Sequence, residues 1–168
     1  MTKNDILIRL RYALNITDLA LVDIFALGGK PMKVEAIRPL FLKKEDPGYR
    51  ECDGSTLGSF LQGLIVSRRG PREEQTNQRP QPTGGRKLPS APPSWQNNPS
   101  NNDVLKALRI ALQLKDVDVV DTMRAAGADV TVSELNTLFR KEGHSKYQAC
   151  GDQFLRNFLN GITKKYRI

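Results

Sequence analysis

Asn4-Asp5-Ile6-Leu7-Ile8-Arg9-Leu10-Arg11-Tyr12-Ala13-Leu14 is answered, 98 residues on, by Asn102-Asp103-Val104-Leu105-Lys106-Ala107-Leu108-Arg109-Ile110-Ala111-Leu112. The same spacing relates Tyr49-Arg50-Glu51-Cys52 to Tyr147-Gln148-Ala149-Cys150, and Phe60-Leu61-Gln62-Gly63 to Phe158-Leu159-Asn160-Gly161. The copies align without a gap, with roughly a third of positions identical, and self-similarity at a fixed period marks a tandem architecture. Within each opening stretch the apolar residues (Ile6, Leu7, Leu10, Ala13, Leu14) fall on one side of a 3.6-residue period, which predicts an amphipathic helix.

Three more helices per copy follow from the same reading. The second starts near Thr17-Asp18 and stops at Gly28-Gly29; its counterpart stops at Gly127, glycine supplying the left-handed residue that ends a helix. The third carries Val34, Ile37, Leu40 and Phe41, matched by Val132, Leu135, Leu138 and Phe139. Thr131-Val132-Ser133-Glu134 reads as a capping box, and Pro39 predicts a kink or late start in the first copy. The fourth has Leu57, Phe60, Leu61, Leu64 and Ile65, matched by Leu155, Phe158, Leu159 and Ile162. Gly63 and Gly161 lie within its apolar stripe, where glycine is unfavourable, so another helix is expected to approach closely there. No segment alternates as a strand. The predicted fold is all-α: two homologous modules of about four helices, residues 1–66 and 102–168. Residues 67–101 join them, rich in proline, glutamine and asparagine. Such a stretch buries too little apolar area to offset its ordering entropy, and reads as a disordered, basic linker.

Each copy is about 60 residues, near the lower limit for a self-sufficient core, so each gains from packing on its sister or on another chain. The only cysteines, Cys52 and Cys150, occupy equivalent positions and read as reduced, buried thiols, with a single bond between them the alternative if the two modules face each other. No apolar run is long enough to cross a bilayer. The N-terminus enters amphipathic sequence directly, without a signal-type apolar core, so a cytoplasmic location is expected.

The residues quoted above, together with Cys150-Gly151-Asp152-Gln153-Phe154-Leu155-Arg156-Asn157-Phe158-Leu159, resemble the uncharacterised bacterial YehS-like proteins. These are a domain-of-unknown-function family built from this duplicated unit. The resemblance implies a bacterial tandem-repeat protein and brings no activity, cofactor or site residues with it.

Catalysis is poorly provided for. His144, the single histidine, lies in a polar loop and has no counterpart in the first copy, whereas acid–base chemistry needs a positioned group. Neither a four-ligand metal set nor a Gly-rich phosphate loop is present. The expectation is a non-enzyme without cofactor or metal. The net charge of +8 favours nucleic acid as a partner, although much of the excess falls in the linker. The loop before each fourth helix offers Lys43, Lys44, Tyr49 and Arg50 in one copy and Arg140, Lys141, Lys146 and Tyr147 in the other. Cations beside an aromatic suit phosphate contact with base stacking. Arg68-Arg69 and Lys164-Lys165 follow the fourth helices and complement their C-terminal dipoles.

The alternative is a protein–protein adaptor or self-associating module. The second helix of the first copy is apolar almost all round, and such a helix is buried. Leu21, Ile24 and Leu27 are therefore expected to touch something beyond their own module. Trp95, the lone tryptophan, is a candidate anchor for a groove. Finally, Arg11 with Asp23 and Arg109 with Asp121 recur in both copies and are expected to form charge-assisted pairs.

Overall fold

The computed structural model of the chain describes residues 1–69, 97–140 and 143–166. Among these, every regular element is helical: α1 (Lys3–Leu14), α2 (Asp18–Leu27), α3 (Val34–Ile37) leading into a 3-10 turn (Arg38–Phe41), and α4 (Gly54–Arg69) in the first repeat. The second repeat has α5 (Asn101–Ala111), α6 (Asp116–Ala125), α7 (Val132–Leu138) and α8 (Asp152–Tyr166). The chain is all-α, and the repeats share one order of helices. Helix α4 continues three residues past position 66, and Ser100 already caps α5. Trp95 and Lys141 lie outside the described residues.

Local sequence explains the helix ends. The Thr2 hydroxyl accepts from the Asp5 N–H at 3.1 Å and the Asp5 carboxylate accepts from the Thr2 N–H at 3.0 Å. Ser100 and Asp103 repeat the arrangement on α5, and Thr131 and Glu134 on α7. Reciprocal capping of this kind satisfies two otherwise orphaned groups. Gly29 and Gly127 adopt φ of +88° and +85° just past α2 and α6. Pro39 acts differently from the expected kink or late start. The first repeat's third helix stops early, after one α-turn, and tightens into the 3-10 turn that contains Pro39. Thr137, which replaces it, lets α7 run seven residues. Proline has no N–H to donate and its ring crowds the preceding turn.

The long helices pair across the repeats. Helix α1 packs along α8, and α5 packs along α4. Within a repeat, α2 packs on α4 and α6 on α8, whereas α1 touches its own α4 only slightly. The apolar faces of both repeats consequently merge into a single core containing Leu7, Leu10, Phe60 and Leu61 from one and Leu105, Leu108, Phe158 and Leu159 from the other. Each of these side chains is fully buried and contributes about 1.5–3 kcal/mol relative to exposure. Neither repeat completes this core alone.

The crossing of α2 over α4 is built from backbone. A Cβ added at Gly63 would run into the carbonyl of Ile24, and one added at Gly28 into the carbonyl of Ser59. In the second repeat, a Cβ at Gly161 would strike the carbonyl of Thr122. The close approach expected from Gly63 and Gly161 is present at both crossings. Contacts between Ile24 and Gly63 and between Gly28 and Ser59 also make α2 antiparallel to α4.

Helices α1 and α8 run in the same direction. The Met1 amine meets Asp152 at 2.8 Å, and two turns further on Arg9 donates to Asn160 at 3.1 Å. The first turn of α1 abuts the start of α4 through Asn4 and Cys52, and Asn97 sits against Gly54. All four core helices thus begin at one end of the molecule. Because α2 returns antiparallel along α4, it joins the end of α1 to the far end of α4. Aligned helix dipoles repel, and acidic groups in the first turns offset this. Asp5, Asp53, Asp103 and Asp152 stand at the four starts. Hydrogen bonds from Thr56 hold the Asp53 carboxyl below its usual range. The Met1 amine and Asn101 do the same for Asp152.

Candidate nucleic-acid interface

The loops that precede α4 and α8 are held by a buried amide. Asn4 is 3% exposed. Its Nδ2 donates to the carbonyls of Leu40 and Arg50, both at 2.9 Å, and its Oδ1 accepts from the Cys52 N–H at 2.9 Å and the Tyr49 hydroxyl at 3.2 Å. Asn102 repeats the brace, donating to Leu138 and Gln148 and accepting from the Cys150 N–H at 2.8 Å. This amide is hard to recognise in the sequence. Its signal was a polar residue repeated at the head of an otherwise apolar stripe.

Lys43, Lys44 and Arg50 are exposed on the braced loop of the first repeat, and Arg140 and Lys146 on that of the second. Glu45 and Glu51 are exposed beside the first set, which lowers its net charge. Tyr49 and Tyr147 are half-buried. The Tyr49 phenol is held above its ordinary range by burial first and by the Glu51 charge next, so at neutral pH it is the neutral donor that the Asn4 contact requires. His144 is exposed, and its Nδ1 accepts from the Lys146 N–H at 3.0 Å. Among the described residues no group of three His, Cys, Asp or Glu side chains is placed to hold a metal ion.

A second set of cations lies at the opposite end of the bundle. Arg68 in the last turn of α4 and Lys164 and Lys165 in the last turn of α8 are all exposed. Helix α4 contains no acidic residue, and α8 none beyond Asp152 at its start.

The expected arginine–aspartate pairs form with other partners. Arg11 binds Asp18 at 2.6 Å and Arg109 faces Asp116 at 2.8 Å, whereas Asp23 and Asp121 are exposed. Arg11 sits near the C-terminus of α1, so the first residue of α2 is within reach and the middle of α2 is not. Each arginine also donates through Nε to a main-chain carbonyl, Ile16 or Leu114, and lies over an aromatic ring, Phe41 at 5.3 Å or Phe139 at 4.6 Å. In the second repeat the ion pair is out of line for a hydrogen bond, which leaves one Asp116 oxygen without such a partner. Asp18 also takes Arg38 at 3.2 Å. Arg11 and Asp18 form one wall of an open cleft of about 550 Å³ between Tyr12 and Phe41. Their charges are satisfied by each other rather than aimed into it.

The expected interface on α2 is corrected at Leu21 and Ile24. Leu21 and Ile24 are buried against α4 within the same repeat and are unavailable to a partner. The helix is not buried all round: Leu27 is 47% exposed and Leu19 75%. The apolar crossing with α4 takes one face only.

Cys52 and Cys150 are free and buried, and each thiol is pushed up to about 12, chiefly by burial and secondarily by Asp53 or Asp152. The thiolate is the reactive form. At pH 8 the native chain should therefore react with a disulfide reagent at least about a hundredfold more slowly than the unfolded chain, and comparable rates would contradict this burial. The folded-state values lie above the unfolded one, so the stability carried by the neutral thiols should fall away as pH rises from about 9 towards 12.

This architecture defines a duplicated helical protein with a shared core. The chain belongs to the family described as Protein of unknown function (DUF1456), which matches residues 3–70 and 101–167. It is 34% identical to the Uncharacterized protein YehS of Escherichia coli (strain K12), over 100% of this chain and 98% of that protein. No solved structure matches it. Among the described residues no helix is long and apolar enough to cross a membrane.

Proposed function

We propose that this chain is a non-catalytic binding protein whose partner is nucleic acid, engaged through its phosphates. The observation that carries the reading is the common direction of α4 and α8, which brings Arg68, Lys164 and Lys165 to one end of the molecule with no acidic residue in those last turns. The braced loops add Arg140 and Lys146, with Lys43, Lys44 and Arg50 in support. Tyr49 is tied to Asn4, so phosphate contact contributes more there than base stacking.

Each phosphate neutralised releases counterions, giving a slope near −0.7 to −0.9 in log K against log salt. With about four contacts, affinity for a labelled oligonucleotide should fall about fiftyfold between 50 and 200 mM salt. An Arg68→Ala/Lys164→Ala/Lys165→Ala chain should bind at least tenfold more weakly at low salt. Fluorescence anisotropy measures both, and a flat salt response or an unaffected triple variant removes the proposal.

One observation favours a protein partner as the second reading. Leu19 and Val117, at equivalent positions on α2 and α6, are 75% and 60% exposed. A pull-down from the native cells after nuclease treatment separates the two: a protein that is retained, and released by Leu19→Ser/Val117→Ser, supports the second.

A further inference from the structure

The end of the bundle that carries Arg68, Lys164 and Lys165 also carries its most exposed tyrosines, Tyr12 at 57% and Tyr166 at 40%. The helix registers bring these groups together. Met1 with Asp152 and Arg9 with Asn160 keep one offset along α1 and α8. Tyr12 therefore lies level with Thr163, within one turn of Lys164, Lys165 and Tyr166. On the other side, the antiparallel pairing of Ile24 with Gly63 and of Gly28 with Ser59 puts Asp18, at the start of α2, level with the last turn of α4. The open cleft between Tyr12 and Phe41 thus belongs to the same end of the molecule as the cations.

At about 550 Å³ the cleft has the size of a small-molecule site. Ile8 and Ile16 make its lining apolar, and Asn15 and Thr17 add polar groups. The Arg11 guanidinium lies over the Phe41 ring at 5.3 Å, so a phenol, a phenyl ring and a guanidinium plane all stand on its walls. Such surfaces stack on the faces of nucleobases. Among the described residues the lining has one acidic side chain, Asp18. Arg11 holds it at 2.6 Å and Arg38 at 3.2 Å, so the three together carry one net positive charge and do not repel phosphate.

We propose that the nucleic acid this chain binds is single-stranded, and that one of its bases enters the Tyr12–Phe41 cleft while its backbone runs over Arg68, Lys164 and Lys165. This rests on the phosphate-binding reading given above and adds to it the form of the partner. In a duplex each base is already paired and stacked, and bringing one into the cleft would cost its unstacking. A single strand offers its bases without that cost. The second repeat has Ile110 in place of Tyr12 and Lys115 in place of Thr17, so the site occurs once per chain.

The test compares three labelled probes of about 12 nucleotides on the full chain by fluorescence anisotropy at low salt. They are a mixed-sequence single strand, an abasic strand with the same number of phosphates, and the duplex. The single strand should bind about tenfold more tightly than the abasic strand, as one stacked base provides. It should also bind more tightly than the duplex, in spite of the duplex's doubled charge. This comparison needs no substitution, so it stands whether or not a variant folds. Tyr12→Ala should bring the single strand down to the affinity of the abasic strand, and Tyr12→Phe, which keeps the ring, should preserve the difference. Salt-dependent binding with equal affinity for strand and abasic strand, a preference for the duplex, or a Tyr12→Ala chain that still tells strand from abasic strand overturns the cleft and leaves the phosphate reading in place. Absence of binding to all three probes overturns both.

Discussion

A Gly63→Ala chain is expected to lose about 3 kcal/mol or more of stability, measured as the shift in a denaturant midpoint at unchanged slope. A single methyl group causes the loss. Its carbon would be driven into the carbonyl of Ile24, and the amide nitrogen of Gly28 is also close. Overpacking usually costs about 1–3 kcal/mol because side chains shift rotamers to relieve it. Here the obstacle is main chain inside a helix, so relief requires α2 to lift from α4 and opens the packing around Phe25 and Phe60, whose rings stand 5.7 Å apart. The helix-propensity gain of alanine over glycine, about 1 kcal/mol, is too small to compensate. Gly151→Ala is the control, since a Cβ there meets nothing within 4 Å; the residue precedes α8 as its cap, where alanine is somewhat poorer than glycine, so it should lose no more than about 1 kcal/mol. Equal stability of the two variants would mean that the helices cross further apart than described.

Replacing Asn4 by leucine should cost about 3–5 kcal/mol. The side chain is almost fully enclosed, and leucine keeps its branched shape but puts bulkier methyl groups where the amide meets its partners at 2.9 Å, so crowding adds to the loss. What is lost is the partner of two carbonyls and one N–H, those of Leu40, Arg50 and Cys52. A buried main-chain group left unsatisfied costs about 1–3 kcal/mol. Asn4→Asp tests the direction of those bonds. Its carboxylate would face two carbonyls where the amide donated, so the folded-state pKa should rise above the unfolded value near 4. The deficit should therefore widen as pH climbs above about 4. A constant deficit between pH 3.5 and 7, or a Leu variant as stable as wild type, would show that the amide does not hold the loop. Because the same bonds fix the segment bearing Lys43, Lys44 and Arg50, hydrogen exchange of residues 42–53 should accelerate together with the loss of stability.

The helices, their caps and both glycine crossings were legible because each depends on neighbours in sequence or on a residue type with one physical use. Thr131 and Glu134 cap because they are three residues apart. Gly63 stands in an apolar stripe because only glycine fits there. Partner choice was less legible. Arg11 had Asp18 and Asp23 within the same short stretch, and only the direction in which α1 ends decides between them. The packing of α2 was not legible either, since Leu19 and Leu27 are apolar yet exposed, and periodicity alone does not distinguish a buried leucine from an exposed one. The exchange of helix pairs between repeats was invisible for a deeper reason. Duplicated helices have matching faces, so an α1 that packs on its own fourth helix and one that packs on its sister's fourth helix carry the same pattern. Lys43, Lys44, Arg140 and Lys146 are exposed, and so are the acidic neighbours Glu45 and Glu51, which count against the first set.

The union of α1 with α8 joins residues 151 positions apart, through Met1 with Asp152 and Arg9 with Asn160. A ribosome makes the chain from its N-terminus at about 5–20 residues per second, so α1 emerges well before the helix it needs. Until the last segment leaves the exit tunnel, the faces of Leu7 and Leu10 have no permanent cover. Such long-range closure slows folding and leaves the nascent chain dependent on whatever shields apolar surface in the interval, whether a chaperone or a neighbouring chain on the same messenger.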